Sequence, residues 1–133
     1  MKKFIAITLL VVFSLVLSAC GGGQSTTKIN ITMTDFKYDM ENYTVAAGQE
    51  ITVNIKNEGA VIHEFVIMKP GLTIGDDFGP EDEDNIFWEV EAEPGESKTV
   101  TFTAPADAGE YQVICGTEGH FKAGMLSKLT VVK

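Results

Sequence analysis

Arginine is absent from these 133 residues, and cysteine and histidine are nearly so: Cys20 and Cys115, His63 and His120 are all there are. Without a guanidinium group, and with 19 acidic side chains against 10 lysines for a net charge of −9, the chain is repelled by phosphate backbones, so nucleic acid is a poor partner. A basic protein is a better one, because acidic surfaces steer positive partners into contact. Only one long apolar run exists, Phe4 to Leu17, broken by Thr8 and Ser14. It is shorter than the roughly 20 residues that a membrane span needs. Apolar residues nevertheless make up 44 % of the chain, which excludes a disordered polypeptide and supplies a core for one domain.

The apolar run follows Lys2 and Lys3 and reads as the middle of a secretory signal peptide. The segment Leu17-Ser18-Ala19-Cys20 after it resembles the bacterial lipoprotein signal, in which cleavage precedes a cysteine whose sulfur carries a diacylglyceryl group. That resemblance implies a signal peptide over residues 1–19, lipidation of Cys20, and a lipidated flexible tether over 20–27, small and polar from Gly21 to Thr27. The acyl chains would hold the domain at a membrane, each buried methylene adding about 0.8 kcal/mol. The expected location is extracytoplasmic, on the periplasmic or cell-surface side.

From residue 28 to 133 the signal is alternation of apolar and polar residues, the mark of strands. Ile51-Thr52-Val53-Asn54-Ile55-Lys56 and Thr99-Val100-Thr101-Phe102-Thr103 show it most clearly. Further candidates are Lys28 to Met33, Tyr43 to Ala46, Val61 to Met68, Ile86 to Glu91, Glu110 to Cys115 and Leu126 to Val132. Turn chemistry separates them at Ala47-Gly48, Asn57-Glu58-Gly59, Pro94-Gly95 and Ala108-Gly109. No stretch has a helical period. The expected fold is all-β, a Greek-key β-sandwich of about eight strands. Lys69 to Asn85, rich in Gly, Pro and acid, is long for a connection in a compact domain and is expected to be a solvated loop.

Within Val61 to Ile67, His63 falls in line with Val61, Phe65 and Ile67. An imidazole on an apolar face needs a hydrogen bond or a metal. Taken alone, it is most simply a satisfied core residue. The second element is Cys115-Gly-Thr-Glu-Gly-His120-Phe-Lys-Ala-Gly-Met125, with cysteine, histidine and methionine at intervals of five on the loop between the last two strands. Cys115 is in phase with Tyr111 and Val113 on the strand before it. Two imidazoles, a thiolate and a weak thioether form the ligand set expected of a blue copper electron-transfer site. Zinc could use His63, Cys115 and His120 with water in the fourth position, but would leave the methionine without a role. A Cys/His nucleophile would need an oriented pair and an oxyanion site that nothing in the sequence suggests.

The wording Gly109-Glu-Tyr111…Cys115…Gly119-His120…Ala123-Gly124-Met125, with Asn57-x-Gly59…His63-Glu64-Phe65 upstream, resembles the cupredoxin (type 1 blue copper) family from about Ile29 to Val132. The resemblance implies one type 1 copper per chain, with His63, Cys115 and His120 as equatorial ligands and Met125 as the axial one. It further implies that His120, flanked by Phe121, is the electron port and that Tyr111 pins the corner before the cysteine strand. Many members carry Asn after the first histidine, tying the two ligand loops together; here that residue is Glu64. Thr117-Glu118 stands where similar loops often carry proline. A copper A centre is excluded, since it needs a second cysteine and position 119 is glycine.

The implied function is single-electron transfer between redox proteins, with a basic c-type cytochrome or a membrane oxidase or reductase as partner. The alternative is a copper carrier or chaperone at the membrane surface. An enzyme is not expected, because no spare group is placed for acid–base work on a substrate. The segment Asp76 to Glu96 contains ten Asp or Glu, which would suit docking of a basic partner.

Overall fold

The structure, a computed structural model, describes residues 24–133. The signal segment, Cys20 and the first part of the tether lie outside the described residues. Nine strands follow in order: β1 Lys28–Thr34, β2 Lys37–Tyr38, β3 Asn42–Ala46, β4 Glu50–Asn57, β5 His63–Met68, β6 Ile86–Ala92, β7 Ser97–Thr103, β8 Gly109–Ile114 and β9 Leu126–Val132. They form a four-stranded sheet in the order β2-β1-β4-β7 and a five-stranded sheet in the order β3-β9-β8-β5-β6. The chain passes repeatedly from one sheet to the other. β1 pairs in parallel with β4, and β3 with β9, while the remaining pairs are antiparallel. This is the expected all-β sandwich.

Alternation places one face of each strand inward. Ile51, Val53 and Ile55 of β4 are buried and their neighbours are not. They meet Tyr43 and Val45 of β3, Phe65 and Ile67 of β5 and Leu129 of β9 in a core shared by both sheets. Gly48 and Gly95 take φ of +67° and +77° at two of the expected turns, a conformation that a Cβ penalises. Tyr111 donates from Oη to the Asp107 carbonyl at 2.7 Å, closing the corner before β8.

Three features depart from the expectation. The two-residue strand β2 is too short to show alternation. β5 begins at His63, so Val61 lies outside it and is exposed; the Val61 carbonyl instead accepts a bond from the Asn57 side chain at 2.8 Å. The connection 69–85 is not simply solvated. Its ends are tied by Lys69 N–H to the Asn85 carbonyl at 2.8 Å, and Pro80–Asn85 forms a short 3-10 helix. Ile74 and Phe78 from this connection pack over Val66, Met68 and Ile114 on the outer face of the five-stranded sheet. That cover is the reason Phe65 to Met68 is apolar without alternation, each residue being fully buried.

Candidate metal centre

The site is built at one end of the sandwich from the start of β5 and the loop between β8 and β9. The approach to β5 is held by Asn57, whose fully buried side chain donates to the Val61 and Ala92 carbonyls and accepts from Gly59 N–H, each at 2.8 Å. At the other side, the loop folds on itself through His120 N–H to the Thr117 carbonyl and Ala123 N–H to the Gly119 carbonyl, both 3.0 Å. Met125 N–H bonds to the His120 carbonyl at 3.0 Å, and Cys115 N–H to the Met125 carbonyl at 3.1 Å. The backbone thus ties the cysteine, histidine and methionine of this loop to one another. Gly119 and Gly124, at φ +76° and +99°, supply its reversals.

His63, Cys115 and His120 come together. The two imidazole Nδ1 atoms are 3.1 Å apart, and Cys115 Sγ lies 3.9 Å from His63 Nδ1 and 3.5 Å from His120 Nδ1. Donor atoms each about 2.0–2.3 Å from a shared trigonal centre would stand about 3.5–4 Å apart, so a metal ion fits this triangle with little rearrangement. His63, Cys115 and Met125 are fully buried, and His120 keeps 7 % of its surface exposed. Met125 thus lies inside the same end of the domain, on the loop that carries Cys115 and His120.

The electrostatics suit a metal better than a free thiol. Burial pushes the Cys115 thiol up, opposed by hydrogen bonds from Glu64 N–H, at 3.4 Å, and from Thr117. Metal binding would remove that proton. Burial and the neighbouring His63 hold His120 below the usual imidazole range, partly offset by Asp35, which keeps the ring neutral, its ligand form. Beneath the site, Tyr38 donates from Oη to the Glu64 carbonyl at 2.6 Å, and its own proton is held tightly by burial and by Cys115.

Some contacts were not foreseen in the sequence. The tie between ligand loops expected of an asparagine after the first histidine is made by Thr117, whose Oγ1 donates to the Ile62 carbonyl at 2.9 Å. Phe121, expected beside His120 at the surface, is instead buried with Val66 and Ile114. Phe36 takes its place, edge-on to His120 with ring centroids 5.0 Å apart. Asp35 Oδ1 lies 3.2 Å from His63 Nε2. The available signal was the break in alternation after Met33, where Asp35 and Phe36 interrupt a β pattern that resumes at Tyr38.

Two sheets closing on a buried cysteine and two buried histidines at one end define a small sandwich-fold protein with a metal-binding site. The family model of the cupredoxin-like domain matches residues 6–131, and the chain belongs to that family. Auracyanin-A of Chloroflexus aurantiacus is 33 % identical, with 97 % of this chain and 96 % of the relative covered. The solved structure of auracyanin A, a "blue" copper protein, superposes with a TM-score of 0.61 at 34 % identity over 79 % of this chain and 99 % of that one. Dithionite-reduced auracyanin from Roseiflexus castenholzii gives a TM-score of 0.69 at 34 % identity, covering 83 % of this chain and 100 % of that one. Reduced rusticyanin, 20 % identical, shares the fold with a TM-score of 0.60 over 82 % of each chain.

Proposed function

We propose that this cupredoxin is a type 1 blue copper electron carrier, with one copper held by His63, Cys115 and His120 and by Met125 as the axial ligand. The observation that carries the reading is the buried triangle of two imidazole nitrogens and a thiol sulfur, with separations of 3.1–3.9 Å. Bound copper would supply one-electron exchange. The protein's own residues keep water out and hold the donors in place through the backbone bonds of the ligand loop, so little need move between oxidation states. The relation to auracyanin, a blue copper protein, supports the same conclusion. A copper carrier that hands over its metal is less well served by ligands that are almost wholly buried, and no group in the site is placed for acid–base catalysis.

The protein works outside the cytoplasm, anchored through lipidated Cys20 and the tether that follows it; the sequence of the first twenty residues supports this part of the reading. Its partners are redox proteins, a basic c-type cytochrome or a membrane oxidase or reductase. Glu64 and Glu91 face each other across β5 and β6, one residue from the His63 ligand. With Glu89 and Glu83 nearby, they give this side of the site a negative field suited to a basic partner.

Titration of the purified protein with Cu(II), followed by visible absorption, tests the assignment. An intense blue or green band saturating at one copper per chain, and absent in Cys115→Ser, is expected. A colourless protein with no stoichiometric copper would remove the electron-transfer reading.

A further inference from the structure

The turn between β1 and β2 consists of only two residues, Asp35 and Phe36, since Thr34 pairs with Lys37. It belongs to the four-stranded sheet, whereas the candidate ligands belong to the five-stranded sheet and its loops. Each of the two turn residues nevertheless touches a different histidine. Asp35 Oδ1 lies 3.2 Å from His63 Nε2 and accepts from Ala60 N–H at 3.0 Å. Phe36 meets the His120 ring edge-on.

Two further observations mark these contacts as built. Phe36 has φ +64°, the only non-glycine residue with positive φ among those described. For a bulky side chain that conformation is strained, and it persists only where the surroundings impose it. Here they do: Tyr38, two residues on, is tied to the Glu64 carbonyl, and Glu58 N–H bonds to the Met33 carbonyl at 2.8 Å. The ring held in this way is not packed away, being 52 % exposed. On the other side, a Cβ added at Gly59 would fall on both His63 Nε2 and Asp35 Oδ1. Glycine at that position leaves the space in which imidazole and carboxylate meet.

We propose that the Asp35-Phe36 turn is a clamp on the metal centre, in which Asp35 orients His63 and Phe36 covers His120. An ionised carboxylate only accepts, so its bond places the His63 proton on Nε2 and turns the Nδ1 lone pair toward the thiol and the second imidazole. In the metal-free protein, His63 Nδ1 then accepts from His120 Nδ1–H across their 3.1 Å separation. The two histidines therefore hold opposite tautomers, and only His120, the one with solvent contact, must move a proton before both lone pairs face a metal. The carboxylate makes His63 a stronger donor, favouring Cu(II) over Cu(I) and lowering the potential. Phe36 limits water at His120. The copper part of this inference rests on the proposed function; the tautomer part does not.

The test compares wild type with Asp35→Ala, Asp35→Asn, Phe36→Gly and Phe36→Leu in the full chain. Nitrogen-15 NMR of the metal-free protein should show His63 as the Nε2–H tautomer and His120 as Nδ1–H. Asp35→Ala should lose the His63 preference while keeping a cooperative thermal transition. A His63 protonated on Nδ1 in wild type, or an Asp35→Ala spectrum unchanged from it, would overturn the clamp whether or not copper binds. With copper, Asp35→Ala should lose about tenfold in Cu(II) affinity and raise the reduction potential. Asp35→Asn, whose amide oxygen can still accept, should recover most of the affinity but keep the raised potential. Phe36→Gly should raise the melting temperature of the metal-free protein, because glycine relieves the backbone strain, yet speed copper loss to a chelator. Phe36→Leu should behave as wild type in that assay. Unchanged affinity and potential in both Asp35 variants, with unchanged copper loss in Phe36→Gly, would refute a role at the metal. A wild type that shows the two tautomers but binds no copper would defeat the copper reading alone.

Discussion

Glu64 and Gly116 show how closely single residues are matched around Cys115. A Cβ at position 116 would fall on the end of the flexible Glu64 side chain, so a larger residue after the cysteine requires the Glu64 carboxylate to swing aside. Gly116→Ala is therefore expected to change the melting temperature little, since the carboxylate can move; a large drop that Glu64→Ala in the same chain restores would show that Glu64 is held in place. Met125 allows a second prediction at this scale. In the proposed site Met125 is the axial ligand, and an axial thioether is a weak donor that tunes potential more than it holds the metal. Met125→Leu should keep the intense thiolate–copper band and raise the reduction potential, measured by voltammetry. Loss of the band would show that Met125 is needed to hold the metal.

Among the elements, the connection 69–85 behaves least as its composition suggests. Its acids face water, but Ile74 is 7 % exposed, and its N–H bonds to the Gln112 side chain at 2.6 Å. The segment is a cover for β5 and β8, the two strands that carry His63 and lead to Cys115. Ile74→Ala should cost about 2–3 kcal/mol in urea unfolding; a cost near zero would mean that the cover contributes nothing. The ligand loop 115–125 owes its shape to backbone bonds and to the Thr117 tie to Ile62. This explains how a loop without proline can still present three side chains to one region. Eight of the nine strands were legible, seven of them as alternation, because each of the seven buries one face in the common core. β2 was not, since two residues have no period, and the inner and outer burial of β5 was visible only as an apolar run whose second cover could not be named.

Over the whole molecule, charge is the dominant feature. Burial, then repulsion from Glu89, Glu91 and Glu83, holds the Glu64 carboxyl above its ordinary 4.5. The folded protein therefore binds that proton more tightly than the unfolded chain does. The stabilisation is fully present below about pH 4.5 and is lost as pH rises through the folded value. Glu64→Gln should accordingly raise the melting temperature at pH 7 and change it little at pH 4. A rise of equal size at both would assign the effect to packing. If the acidic side is the docking face proposed above, raising ionic strength should slow association with a basic c-type cytochrome steeply; a flat response would leave it as a solubilising surface.

The sequence by itself determined the layered β architecture and the membership of His63, Cys115, His120 and Met125 in one pattern. Alternation is a local property, and the scarcity of cysteine and histidine left few other ways to place them. Only the tertiary structure decided what surrounds the four: that Thr117 joins the ligand loops, that Phe121 turns inward, and that Asp35 and Phe36 reach the two imidazoles from the opposite sheet. The contacts of Thr117, Asp35 and Phe36 join residues 28 to 84 positions apart. No local pattern encodes them, because they depend on how two twisted sheets are stacked and on which turn that stacking brings over the open end.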